Sequence, residues 1–197
     1  MRNPAQTRAT ILTESAALFN TQGYKATSLS DITTATGLTK GAIYKHFANK
    51  EDLEQQALRS LGKTMHDLLS SKIKQETGFN SQMEAIFNFF ENYLVEPPYA
   101  GGCPLVNSAV ESDDGNPALR QQSFGMLVNL KSVFKRVIET GIKNNELKTN
   151  VDVDQFVYLF IATLEGAVML SKLERNNDAI STCIAFLRTI NDGIIVK

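Results

Sequence analysis

The most restrictive part of this chain is Ser28 to Phe47, where two helical patterns are separated by a three-residue turn that begins with Gly37. Ser28 stands before the first pattern, Leu29–Thr36. Asp31 follows it by three positions, the spacing of a capping box with Asp in place of the usual Glu or Gln. Thr39 is placed to cap the second pattern, Lys40–Phe47. Two short helices joined this way have the spacing of a helix-turn-helix. Ile32, Leu38, Ile43 and Phe47 give the unit an apolar side. A preceding helix ending at Gly23, with Ile11, Leu12, Ala16, Leu18 and Phe19 at helical spacing, can pack Leu12, Ala16 and Phe19 against it.

The same periodicity governs the rest of the chain. A fourth helix starts at Asn49, has Asp52 in its first turn, and runs through Leu53, Ala57, Leu61 and Leu68 to Lys74. Met83–Val95 predicts an aromatic fifth helix stopped by Pro97 and Pro98. Further helices are expected over 104–112, 117–143, 152–174 and 177–194. No alternation of β-branched residues with hairpin turns interrupts them, so the fold class is all-α with about nine helices.

Composition narrows the function. The longest apolar run, 156–170, contains Glu165, which argues against a membrane span. The N-terminal residues carry an early Arg and no apolar signal core, which predicts a cytoplasmic protein. Cys103 and Cys183 lack CxxC spacing, and no motif calls for a metal or cofactor. Only His46 and His66 offer imidazoles, and HExxH, GxSxG and a phosphate-cradling loop are all missing, so an enzyme is not expected.

Charge is divided. Residues 1–50 hold six Lys or Arg against two acids, a net +4, whereas the remaining residues net −5. A basic head on an acidic body suits a polyanion at the head. In a recognition helix that begins at Lys40, that side chain can donate to guanine O6 and N7, and Ala42 can meet a thymine methyl. Gly41 allows close backbone approach, Tyr44 can donate to a phosphate, and Lys45 and Lys50 add positive charge. Helix amide ends at Ser28, Thr39 and Asn49 can also receive phosphate oxygens.

The stretch GYKATSLSDITTATGLTKGAIYKHFANKEDL closely resembles the DNA-binding domain of the TetR family of bacterial transcriptional regulators. The resemblance covers about residues 8 to 58. It implies a helix-turn-helix domain over 1–50 and a helical ligand-binding and dimerisation domain over 51–197. The DNA contacts it implies are Ser28, Ser30, Thr39, Lys40, Gly41, Tyr44, Lys45, His46 and Lys50. Thr33 and Thr34 depart from the apolar or basic pair common in the family, which predicts a less stable second helix.

The resemblance implies a palindromic operator read by a homodimer, with recognition helices about one DNA turn apart. The stripes of the last two helices are the expected interface: Phe156, Leu159, Phe160, Thr163, Gly166, Ala167 and Leu170, then Ile184, Leu187 and Ile190. The resemblance also implies a small-molecule effector pocket between the central helices. These offer Phe87, Phe90, Tyr93, Leu94, Tyr99, Val106, Met126, Leu130, Phe134 and Leu164, with Asn107 and Glu165 as polar handles, a lining suited to a hydrophobic or aromatic molecule.

Cys103 follows Gly101 and Gly102 at a helix start, where the dipole favours a thiolate and a thiol sensor of electrophiles or oxidants becomes a reading. GGCPLVNSAVE is similar to the corresponding stretch of a TetR subgroup in which some members sense reactive species through a cysteine. Glu96 and Glu111 oppose thiolate formation, and a lone cysteine also serves as a small buried hydrophobe. The expected function is a homodimeric regulator, a repressor released by a hydrophobic or electrophilic effector. The alternative is a helical protein-interaction module whose helix-turn-helix no longer binds DNA.

Overall fold

The computed structural model describes every residue except Met1, Arg2, Leu94, Glu96, Asp113, Asp114 and Lys197. The expected contribution of Leu94 to a pocket and of Glu96 to the charge near Cys103 therefore lies outside the described residues. Among those residues the chain forms nine helices: α1 (Pro4–Gln22), α2 (Leu29–Thr36), α3 (Lys40–Tyr44), α4 (Lys50–Lys74), α5 (Phe79–Glu91), α6 (Pro104–Ser112), α7 (Pro117–Lys143), α8 (Val153–Glu174) and α9 (Asp178–Ile194). They fall into two compact units, one of residues 1–64 with 99–126 and one of residues 65–98 with 127–197.

In the first unit α1 packs on α2 and α6, and α2 on α3. Its core is Ile11, Phe19, Tyr24, Ile32, Ile43, Phe47, Leu53 and Leu58, all buried, with Phe19 and Tyr24 stacked at 5.2 Å. Ile11 is buried where Leu12 was expected, and Leu12 lies half-buried beside it. Gly23 caps α1 at φ 96°, ψ 154°, positive but outside the αL basin, while Gly37 after α2 is a true αL cap at 65°, 24°.

In the second unit α8 and α5 both pack on α9. The core is aromatic: Phe160 lies 5.9 Å from Phe87, 6.4 Å from Phe134 and 5.6 Å from Phe156. Residues 153–174 are long and apolar enough to cross a membrane, so Glu165 does not by itself exclude a span. Packing within the chain accounts for part of that composition, since Val157, Phe160, Leu164 and Ala167 are buried. Helix α5 starts four residues before the expected Met83, since the Phe79 amide is capped by the Glu146 carboxylate. It ends at Glu91, before Pro97 and Pro98.

Candidate nucleic-acid interface

Local chemistry sets the helix-turn-helix. The Asp31 amide donates to Ser28 Oγ at 3.2 Å, and Ser28 N and Oγ both donate to Asp31 Oδ2 at 2.7 Å, completing the capping box. Those bonds, from the Ser28 amide first and its hydroxyl second, hold the Asp31 carboxyl below its ordinary value. The Ala42 amide donates to Thr39 Oγ1 at 3.2 Å, which fixes the start of α3. Thr33 and Thr34 each return a hydroxyl to the Ser30 carbonyl, at 2.8 and 2.9 Å, so both are accommodated on α2.

Helix α3 is shorter than expected. The amides of His46 and Phe47 both turn back to the Ile43 carbonyl, at 2.9 and 3.2 Å, and Phe47 is drawn into the core with the Arg8 guanidinium 5.2 Å from its ring centroid. Ser28, Ser30, Thr39, Lys40, Gly41, Tyr44 and Lys45 are exposed; His46 and Lys50 are half-buried. Tyr44 is 45% exposed, so its ring is not part of the core. Lys40 and Lys45 have no ion-pair partner among the described residues. Lys50 differs: it donates to the Tyr24 carbonyl at 2.8 Å and pairs with Glu54 at 3.0 Å. A phosphate at Lys50 must share that ammonium.

Behind this face lies a clamp that sequence reasoning did not foresee. The Asn20 amide nitrogen on α1 donates to the carbonyls of Ala100 and Gly102, at 2.6 and 2.9 Å. Asn107 on α6 donates to Asn20 O and Oδ1, both at 3.1 Å, and to the Gly101 carbonyl at 2.9 Å. A second link joins Glu111 Oε2 to the amides of Tyr24 and Lys25, at 2.8 and 3.2 Å. Burial, followed by the charges of Glu111 and Glu54, pushes the Tyr24 phenol well above its ordinary value. The sequence held one signal: Asn20 is a polar residue next to the apolar stripe of α1, and it is 4% exposed.

Cys103 sits inside this clamp, between the Gly102 carbonyl and Pro104. It is 3% exposed, and its own carbonyl accepts the Asn107 amide at the start of α6. The expected pocket residues are divided. Tyr99, Val106, Asn107 and Met126 belong to the first unit, whereas Phe87, Phe90, Tyr93, Leu130, Phe134, Leu164 and Glu165 belong to the second and are all buried. Asn107 is engaged by the clamp. Phe90 and Tyr93 stack on each other at 6.2 Å, and Phe87 on Phe160, so these rings satisfy one another.

The expected interface residues also separate. Phe160, Ala167, Ile184 and Leu187 face the core, Phe156, Thr163, Gly166 and Ile190 are half-buried, and Leu159 and Leu170 are exposed. The outer faces of α8 and α9 add exposed Tyr158, Met169, Leu173 and Phe186, which the sequence stripes did not single out.

Comparison with known proteins fixes the ancestry of this arrangement. Residues 11–57 match the family description "Bacterial regulatory proteins, tetR family", and residues 80–187 match "Tetracyclin repressor-like, C-terminal domain". The chain belongs to the TetR family. A TetR transcriptional regulator from Chloroflexus aurantiacus superposes with a TM-score of 0.94 at 34% identity, covering 99% of this chain and 98% of that one. A TetR-family regulator from Cytophaga hutchinsonii gives 0.91 at 28% identity, over 100% of this chain and 98% of its own. The HTH-type transcriptional repressor DhaR of Mycobacterium sp. (strain GP1) is 24% identical over 178 residues, 90% of this chain and 87% of that protein. This TetR-family chain is a DNA-binding transcriptional regulator and not an enzyme.

Proposed function

We propose that this TetR-family protein is a homodimeric repressor that binds a palindromic operator through α3 and is released by a small hydrophobic or electrophilic effector. The observation that carries the DNA reading is the pair of unpaired lysines, Lys40 and Lys45, beside exposed Tyr44 and Gly41 in a capped helix-turn-helix. Lys40 is assigned to a base edge. Tyr44, Lys45, His46, Lys50 and the capping residues Ser28, Ser30 and Thr39 are assigned to phosphates. Residues 1–50 then form the DNA-binding domain and 51–197 the ligand-binding and dimerisation domain. The protein works in the cytoplasm, with the chromosome.

Dimerisation through α8 and α9 is supported by their exposed apolar side chains, since a monomer gains nothing from such a patch. Effector release by an electrophile is supported by the setting of Cys103. Cys103 is 3% exposed and follows Gly102, whose carbonyl accepts from Asn20, so an adduct on its thiol adds volume at a buried position next to the clamp and loosens α6 from α1.

The test is fluorescence polarisation with DNA from upstream of the protein's own gene, at two salt concentrations, with and without N-ethylmaleimide. Specific binding that weakens with salt supports the regulator reading, and release by the maleimide that Cys103→Ser abolishes supports the thiol. Salt-insensitive binding with no base preference would return the chain to the protein-interaction alternative.

A further inference from the structure

We propose that the groove between α4, the start of α5 and α7 is a binding site for a medium-chain aliphatic carboxylate. Its volume is about 230 Å³, and its walls are Ser70, Ile73 and Lys74 of α4, Gln82 of α5, and Val133, Arg136, Val137 and Thr140 of α7. All of these belong to the second unit, and none was among the expected pocket residues.

The floor is apolar. Ile73, Val133 and Val137 are 8%, 6% and 4% exposed and offer methyl groups without a polar atom. Two cations stand on the rim, and no carboxylate does. Lys74 and Arg136 are both exposed, and their side chains have neither an ion pair nor a hydrogen bond among the described residues.

Four other cations of the unit are engaged: Arg188 holds Glu84 at 2.9 Å and Glu91 at 3.6 Å, Lys135 holds Asp154 at 3.3 Å, Lys131 donates to the Tyr158 hydroxyl and Lys148 to the Gly193 carbonyl. Lys72, Lys143 and Arg175 have no ion pair among the described residues either, but they do not line the groove.

An apolar floor beneath two uncompensated cations is complementary to an anion carrying a hydrocarbon tail. A bare phosphate would leave the floor empty, and a neutral hydrocarbon would leave the rim unused. The carboxylate lies between Lys74 and Arg136, where the guanidinium offers a planar fork. The tail lies along Ile73, Val133 and Val137, and Ser70, Gln82 and Thr140 supply neutral polar edges.

As an effector site the groove rests on the regulator reading. As a binding site it does not, because binding is read without DNA.

The experiment is calorimetric titration of the full chain with octanoate, octanamide and inorganic phosphate. We expect octanoate to bind at one site per chain, octanamide about fivefold more weakly, and phosphate not at all. Lys74→Gln and Arg136→Gln are exposed changes that leave the fold intact, and each weakens octanoate by about fivefold. Failure of octanoate to bind, equal binding of octanamide, binding of phosphate as tight as octanoate, or unchanged affinity in the double variant overturns the proposal. Failure on the upstream DNA, by contrast, overturns the regulator reading and leaves the groove untouched.

Discussion

Glu111 and Tyr24 are 87 residues apart, yet the Glu111 carboxylate receives the Tyr24 backbone amide at 2.8 Å and the Lys25 amide at 3.2 Å. The loop entering the helix-turn-helix is therefore held by a side chain of α6. Glu111→Ala leaves both amides without their partner, at a cost of about 1 to 3 kcal/mol if water does not replace it. Hydrogen exchange measured by NMR should show Tyr24 and Lys25 exchanging faster than in the parent while Ile32 is unchanged. Equal protection at both amides would mean that the bonds do not hold the loop.

Gly101 has the tightest approach in the clamp. A Cβ there would lie 2.3 Å from the Asn20 carbonyl oxygen, and its φ of 96° is one that side chains rarely adopt. Gly101→Ala should destabilise the protein by about 1 to 3 kcal/mol, visible as a lower thermal midpoint. Gly41→Ala, which lies within α3 and meets nothing within 4 Å, should keep or slightly raise the midpoint, so the two glycines test different things.

Lys40 and Lys45 should fail in distinguishable ways. Lys40→Ala should cost about 1 to 3 kcal/mol on a matched operator and relax base preference at one position. Lys45→Ala should weaken all sequences alike and flatten the salt dependence by about one phosphate. If both variants flatten the salt slope and neither alters preference, Lys40 is a phosphate ligand.

The outer faces of α8 and α9 predict the assembly. Leu173 is 75% exposed and Phe186 62% exposed, so Leu173→Asp or Phe186→Asp does not disturb the core of the chain. Sedimentation should show a dimer for the parent and a monomer of unchanged helicity for the variants. A dimer that persists in both would move the interface elsewhere.

Acid should act on two carboxylates. Asp31 is held below 3.8 by the Ser28 amide and hydroxyl, and Asp52 by the Gln56 side chain and then the Ala48 amide. Depressed folded-state values mean that this stabilisation is present above the unfolded value and lost as pH falls through the folded one. Stability measured by urea should therefore decline as pH drops below about 4. Ser28→Ala, costing about 1 kcal/mol at neutral pH, should reduce that decline by removing part of what holds Asp31.

The early helices were legible because their signals are local. Ser28 with Asp31, and Thr39 with Ala42, are contacts within four residues, and Asn49 likewise accepts the Asp52 amide. The start of α5 was misread because Glu146, which caps Phe79, lies 67 residues away. Distance in sequence also hid the clamp, since nothing near Asn20 announces Asn107. On α8 the apolar stripe is wider than one face, so periodicity could not say that Phe160 points inward and Met169 outward. The groove under Lys74 and Arg136 escaped because its members come from three helices, three residues from α4, one from α5 and four from α7.

Asn20 donates to two carbonyls while accepting from Asn107 through its own carbonyl and its side-chain oxygen. Aspartate there would turn an oxygen toward those two carbonyls, leucine would match the size and lose every side-chain bond, and glutamine would overreach by a methylene. A single side chain at position 20 thus joins three segments, α1, the loop at 100–102 and α6, and any replacement there parts all three links at once.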